Sequence, residues 1–375
     1  MSRRTQKNVG VIGLGIIGRR VAESLRRRGF HAFVWNRTPR PFPNFVGAPE
    51  EVAQLCDFVQ LFVSDDDALM EMVERMKRTL SPHHVVMAHS TVAPATMRAA
   101  AEIVHRHGAQ LLDAPFTGSK LAAEKGELVY YVAGDDAAFR RARPVLEASS
   151  KEIIEIGEIG DATTIKLATN MITAVTVQVA VEALALVDST GVGVEKFAAA
   201  MRGNASNSPT LAMKLPKMLE GDFDPHFSVK HMLKDVQIAT RLARSYGLSL
   251  GATETAGATL LMEADRGHGD ADYSAMVRAY FPEGAPGQEA TGEEAAEQPS
   301  LGLEEPVTEP AVGEPPLLSP AAAADGESRD EAGPDAKEES AAAAIDEAVK
   351  SDSDATDATE ERATEKPEPE IVLAN

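Results

Sequence analysis

Residues 8–157 alternate short runs rich in β-branched and apolar side chains with longer stretches whose apolar positions recur at helical spacing. The strand-like runs are Asn8 to Gly13, His31 to Asn36, Asp57 to Val63, His84 to His89, Gln110 to Phe116, Val129 to Ala133 and Glu152 to Ile156; between them lie stretches such as Ile17 to Arg28 and Pro94 to His107. That alternation predicts βαβ units and a mostly parallel sheet. From Asp161 to about Tyr280 the pattern becomes helical, opening with a long apolar segment, Ala162 to Ser189, that stops at Gly191 and Gly193. The expected fold class is α/β, a parallel-sheet domain over residues 1–160 followed by an all-α domain over 161–281. The most apolar stretch, Met171 to Val187, carries Thr173, Thr176, Gln178 and Glu182 and is shorter than the roughly 20 residues of a membrane span, so it predicts a helix buried from more than one side.

Charge divides the chain differently. Of 58 acidic and 37 basic side chains, residues 281–375 hold 26 Asp/Glu and 5 Lys/Arg, which leaves 32 of each sign in residues 1–280. The formal net charge of −21 therefore belongs entirely to the tail. With 11 of the 22 prolines, 20 alanines and Phe281 as its sole aromatic, that tail has too little apolar surface to offset chain ordering, and residues 282–375 are expected to be a disordered acidic Pro/Ala-rich extension. Its ending, Ile371 to Asn375, is a candidate docking peptide, and the acidic stretch as a whole could recruit a basic partner or only solubilise the chain. The neutral body argues against nucleic acid as a partner. One cysteine, Cys56, excludes intramolecular disulfides and Cys-rich metal sites; the histidines read as surface residues, including His83 and His84 in a Pro-containing turn, and no metal is expected. Nothing near the start resembles a secretory segment, and the expected location is cytoplasmic.

The first strand-like run enters Gly13-Leu14-Gly15-Ile16-Ile17-Gly18 and then an amphipathic helix. Such glycines allow a tight turn, close approach of backbone to a pyrophosphate and close helix packing, and the helix start offers N–H groups and a positive dipole end to phosphates. The sheet domain is therefore read as a Rossmann-type dinucleotide-binding domain. Where an NAD-preferring site carries Asp or Glu on the ribose hydroxyls, the second strand ends instead in Asn36-Arg37-Thr38. Arg37 can stack beside adenine and pair with a 2′-phosphate, and Asn36 and Thr38 can donate to it, which favours NADP while leaving NAD possible.

Three further stretches complete the pattern: His89-Ser90-Thr91-Val92-Ala93-Pro94, Asp113-Ala114-Pro115-Phe116-Thr117-Gly118-Ser119-Lys120, and Gly160-Asp161-Ala162-Thr163-Thr164-Ile165-Lys166-Leu167-Ala168-Thr169-Asn170. Together with the glycine fingerprint they resemble the β-hydroxyacid dehydrogenase family, in order from about Val9 to Tyr280. The family's Asp-Ala-Pro-Val-Ser-Gly reads Asp-Ala-Pro-Phe-Thr-Gly here, and Gly118-Ser119-Lys120 looks most like the glyoxylate/succinic semialdehyde reductase branch. Lys166 and Asn170 share a helix face about 40° apart. The resemblance implies that Lys166 is the catalytic lysine, holding the carbonyl oxygen and delivering a proton, with Asn170 orienting the same oxygen. A lysine of ordinary pKa would be protonated for the reductive direction. By the same resemblance the substrate carboxylate meets Thr117 and Gly118, Lys120 adds charge or is a solvated loop residue, and Phe227 to Asp235 supplies Lys234 and Asp235 at the nicotinamide. Lys230 and His231 read better as a charged helix flank. Ser64, Asp65, Ser90 and Thr91 line the nicotinamide ribose, or act only as helix caps.

The expected activity is NADPH-dependent reduction of a small carboxylated aldehyde, glyoxylate or succinic semialdehyde in type, to the hydroxy acid. The alternatives are an NAD-dependent dehydrogenase of 3-hydroxy acids and a non-catalytic interaction module, against which the presence of Lys166 and Asn170 counts. The resemblance also implies a homodimer or homotetramer paired through the helical domain, with no nucleic-acid or membrane partner.

Overall fold

The computed structural model describes residues 7–282 and Pro286. Every described residue belongs to one unit, Met1–Glu294. The expectations for the tail, including its Ile371 to Asn375 ending, lie outside the described residues except at Pro282 and Pro286.

Five strands, β1 (Asn8–Ile12), β2 (His31–Trp35), β3 (Phe58–Leu61), β4 (Val85–Ala88) and β5 (Gln110–Asp113), stand parallel in the order β2-β1-β3-β4-β5. Alternate side chains face opposite layers, as the pleat requires. Val9, Val11, Val34 and Met87 pack with Val21 and Leu25 of α1 (Gly18–Arg27) and Phe139 and Leu146 of α6 (Asp136–Glu147). Ile12, Val59, Leu61 and Val86 pack on the other face with Val52 of α2 (Pro49–Leu55), Met72 and Met76 of α3 (Asp66–Met76) and Met97 of α4 (Pro94–Arg106). Because β1 is flanked by β2 on one side and β3 on the other, the chain reverses its direction of winding there, and the crevice at the C-terminal strand ends opens at that point.

The expected strand Gln110 to Phe116 is broken. β5 stops at Asp113, and Phe116–Thr117 form a separate two-residue strand, β6, antiparallel to β7 (Leu128–Gly134); between β6 and β7 runs the short helix α5 (Lys120–Lys125). Pro115 has no N–H to continue the ladder, so the chain turns there and delivers Thr117 and Gly118 to the edge of the sheet. β8 (Ser150–Gly157) then pairs parallel to β7. A second correction concerns His84, expected at the surface. It is fully buried, with Nε2 2.8 Å from the Ala53 carbonyl. His89 is also buried.

The helical half begins with α7 (Asp161–Ser189), whose start lies against β5, β7, β8 and α4. By length and composition α7 could cross a bilayer; instead Ala174, Val177, Val181 and Leu184 pack one side of it into a core with α8 (Val194–Arg202), α9 (Pro209–Glu220), α10 (Val229–Ser245) and α11 (Gly251–Glu263). Within a single chain α7 is covered on one side only; the burial from more than one side expected from the sequence went with pairing of copies. Ile165, Ile172, Val179 and Leu186, spaced seven apart, form an exposed stripe, with Ile172 69% and Leu186 68% accessible. A helix presents one stripe to one core, and the opposite apolar stripe is left uncovered.

Below α9, Lys214 Nζ donates to both carboxylate oxygens of Asp272 at 2.7 and 2.8 Å, with both residues buried, and Asp272 also accepts from the N–H groups of His226 and Ser274. This pair anchors the segment entering α10. Lys214→Ala, which strands a buried carboxylate, is expected to lower unfolding free energy by about 3 to 5 kcal/mol in urea denaturation.

Candidate active site

The glycine loop is shaped by contacts that exclude side chains. At Gly13 (φ +98°) a Cβ would come within 2.0 Å of the Phe62 carbonyl oxygen, and at Gly18 within 2.0 Å of the Gly13 carbonyl oxygen. At Gly15 a Cβ would meet nothing within 4 Å, so this glycine borders open space. Leu14, Ile16 and Ile17 complete the loop, and α1 starts at Gly18 after an N-cap, Ile17, that gives no side-chain cap. An uncapped helix start facing open space beside Gly15 fits the pyrophosphate of a dinucleotide.

At the end of β2, Asn36 accepts from Leu14 N (2.8 Å) and donates to the Thr38 carbonyl (2.7 Å), so its amide braces the loop. That departs from the expected role as a donor to phosphate. Arg37 and Thr38 are exposed, and the Arg37 guanidinium pairs with Glu71 at 3.1 Å. Asp65 caps α3 by accepting from Ala68 N (2.9 Å) and takes the Ser64 hydroxyl (2.6 Å). Burial pushes the Asp65 carboxyl up, but the bonds from Ser64 and Ala68 with the charges of Lys234 and Arg37 outweigh it and hold it below the usual range. Both readings of Ser64 and Asp65 are thus compatible, since the cap faces the cations of the crevice. Ser90 bridges to Val63, donating to its carbonyl (2.7 Å) and accepting from its N–H (2.9 Å).

The structure brings Thr91, Lys166, Asn170, Lys234 and Asp235 together. Lys234 Nζ donates to the Thr91 carbonyl and to Asp235 Oδ1 (2.6 Å), and Asn170 Nδ2 donates to Asp235 Oδ2 (2.6 Å). Asn170 is therefore committed to Asp235 and orients α10 against α7, where the sequence suggested a direct hold on substrate. Lys166, one turn before it, is half-buried, and desolvation of its ammonium lowers its pKa to about 8 against the opposing pull of Asp235. The ordinary lysine pKa expected from sequence is corrected: the apolar surroundings of α7 penalise the charged form.

Thr117 ends β6 and Gly118 (φ +135°) opens the turn to α5, which Ser119 caps through Ala122 N (3.3 Å). Lys120 reaches across to Asp224 of the helical half, 3.7 Å away. Lys230 is exposed and paired with Asp270, while His231 Nδ1 lies 2.7 Å from Ser228 Oγ. Among the described residues no group of three His, Cys, Asp or Glu side chains could hold a metal.

One buried residue escaped the sequence reading. Asp113, 0% exposed at the end of β5, accepts from Gly160 N and Thr163 N (both 3.0 Å) and from Thr163 Oγ1 (2.7 Å). Burial raises its pKa to about 6 against those hydrogen bonds. Its only sequence signal was the Asp-Ala-Pro that precedes Phe116-Thr117-Gly118.

Residues 8–157 match the family model described as the NAD binding domain of 6-phosphogluconate dehydrogenase, and residues 160–280 match that described as NAD-binding of NADP-dependent 3-hydroxyisobutyrate dehydrogenase. The glyoxylate/succinic semialdehyde reductase 1 of Arabidopsis thaliana is 29% identical over 281 residues, covering 72% of this chain and 97% of that protein. The cytokine-like nuclear factor N-PAC of Anopheles gambiae is 29% identical over 290 residues, covering 74% of this chain and 51% of that protein. A solved 3-hydroxyisobutyrate dehydrogenase of Mycobacterium tuberculosis, with L-serine, superposes with a TM-score of 0.65 at 25% identity, covering 72% of this chain and 98% of the other. With the glycine cradle and the Lys166–Asn170–Asp235 group in place, these matches make the chain a member of the β-hydroxyacid dehydrogenase family and an NAD(P)-dependent oxidoreductase of hydroxy acids.

Proposed function

We propose that the chain reduces a small carboxylated aldehyde, of the glyoxylate or succinic semialdehyde type, to the hydroxy acid with NADPH. The observation that carries this reading is the lysine at the start of α7, its pKa near 8, held beside Asn170, Asp235 and Lys234 where the helical half meets the end of β4. The nicotinamide cofactor, when bound, supplies the hydride. The glycine loop and uncapped start of α1 would hold its pyrophosphate, and Arg37 its 2′-phosphate, exchanging Glu71 for the phosphate. Lys166 holds the substrate's carbonyl oxygen, stabilises its developing negative charge and gives it a proton. Asp235 keeps Lys234 and Asn170 in fixed positions, and the Thr117 hydroxyl with the N–H groups of Thr117 and Gly118 receives the carboxylate, Lys120 adding positive charge. The Arabidopsis relative, a reductase of glyoxylate and succinic semialdehyde by name, supports this substrate class.

Oxidation of a 3-hydroxy acid is the second reading, and the lowered Lys166 pKa favours it as pH rises, because the neutral amine is then available as a base. The uncovered stripe Ile165–Ile172–Val179–Leu186 supports pairing of two copies through α7.

Purified protein is expected to oxidise NADPH with glyoxylate or succinic semialdehyde. Lys166→Ala should lose about 10²- to 10⁴-fold in kcat while still binding NADPH, and Arg37→Ala should weaken NADPH about ten-fold and leave NADH unchanged. An enzyme using NADH alone, or no aldehyde at all, would overturn the reading. At pH 7 a lysine of pKa about 8 is protonated in about nine molecules of ten, so reduction should slow as pH rises through about 8 and oxidation should speed up over the same interval. For the assembly, Ile172→Asp combined with Leu186→Asp is expected to convert a dimer or tetramer to a smaller species in light scattering.

A further inference from the structure

We infer that Asp113 is a positioning residue for Lys166: from the end of β5 it caps the helix that carries the lysine, and so fixes the proton donor relative to the strand that leads into Thr117 and Gly118.

A helix leaves its first N–H groups without intrahelical acceptors, and a side chain at the N-cap usually supplies one. α7 has glycine at that place. Gly160 sits at φ +99°, a backbone conformation that side-chain-bearing residues rarely adopt, so a Ser, Thr, Asp or Asn that could otherwise cap the helix would be strained there. The missing acceptor comes instead from 47 residues upstream. Asp113 Oδ2 accepts from Gly160 N and Thr163 N, each at 3.0 Å, and Oδ1 accepts from Thr163 Oγ1 at 2.7 Å. All of these bonds are buried, and the carboxylate lies at the positive end of a 29-residue helix. Asp161, the residue after Gly160, accepts from Glu158 N (3.0 Å), which organises the approach to the helix and leaves the cap to Asp113.

The consequence reaches Lys166 by geometry. Thr163 and Lys166 are three residues apart on α7, neighbours on one face and about 4.5 Å apart along the axis. Fixing Thr163 therefore fixes the azimuth and height of the lysine. On the other side, Asp113 is followed by Ala114 and Pro115 and then by β6, which ends in Thr117, with Gly118 on the turn that follows. A single carboxylate thus ties the acid to the carboxylate-binding turn, two parts of the site that come from different halves of the chain. The assignment rests on the reading of Lys166 as the proton donor.

The test uses the full-length protein with Asp113→Ala, Asp113→Asn and Thr163→Val. Two readouts are taken together: kcat, KM and NADPH affinity with the best aldehyde, and the pH dependence of acylation of Lys166 followed by mass spectrometry, which needs no substrate. Asp113→Ala is expected to lower kcat about 10- to 100-fold with NADPH affinity unchanged within about two-fold, and to move the Lys166 titration upward from about 8 as the first turn of α7 loosens toward water, Asp235 remaining its charged neighbour. Asp113→Asn keeps an oxygen acceptor for the backbone N–H groups and should recover most of both. Thr163→Val removes one of the three bonds and should give a smaller shift in the same direction; it decides the matter if Asp113→Ala does not fold. Folded variants with lower thermal stability but unchanged kcat and unchanged Lys166 titration would show that Asp113 only stabilises the fold. If the wild type reduces no aldehyde, the proposed function fails, while the labelling profile still reports whether Asp113 sets the state of Lys166.

Discussion

Asp235 is the carboxylate around which the two halves of the molecule are joined. It is 2% exposed on α10, where a charge without partners would be prohibitive, and it is tolerated because Asn170 of α7 and its neighbour Lys234 both donate to it. Lys234 in turn donates to the Thr91 carbonyl just beyond β4. Each partner belongs to a different element, so displacing α7, α10 or the end of β4 would leave a buried charge or donor unsatisfied. The register of α7 against the sheet follows from that requirement, and with it the place of Lys166 one turn before Asn170.

The floor beneath the glycine loop obeys a similar rule of satisfaction. Phe62, whose carbonyl crowds Gly13, stacks on the His89 ring at a centroid distance of 4.4 Å, and His89 Nδ1 lies 2.6 Å from the Ala114 carbonyl. Burial lowers the His89 pKa to about 4, so the ring is neutral and its one N–H is claimed by that carbonyl. Nε2 is then an acceptor and has no proton for Gln60 Oε1, 3.0 Å away, so the amide is assigned turned over, with its nitrogen donating to the ring. This ties the ends of β3, β4 and β5 into one polar seam under the cofactor crevice.

Much of the fold was legible because it depends on patterns that survive without coordinates. Strand runs separated by helices, a glycine fingerprint in its strand-turn-helix setting and the Lys166–Asn170 spacing are local properties. What failed depends on contacts between distant residues. The burial of His84 requires the Ala53 carbonyl, the lowered pKa of Lys166 requires the desolvation of its ammonium in the folded chain, and the cap on α7 comes from Asp113 with no local signal at Gly160. The break at Pro115 was the exception. Its missing N–H was readable in advance, yet the apolar run from Gln110 to Phe116 masked it.

Arg37 shows how a residue type can point to a ligand without settling how strongly it is held. Its guanidinium is 71% exposed and already paired with Glu71, which lies 3.8 Å from Arg75; Arg75 is in turn paired with Glu50 and stands over the Trp35 ring. An anion arriving at Arg37 must therefore displace a carboxylate that a second cation helps to hold. Exposed pairs of this kind contribute at most about 1 kcal/mol, whereas a phosphate bound by a guanidinium fork brings two charges and two parallel hydrogen bonds. On the proposed NADPH reading the exchange would favour the phosphate, with Glu71 setting how much of that advantage survived, and the cofactor preference would be the difference between two anions competing for one arginine.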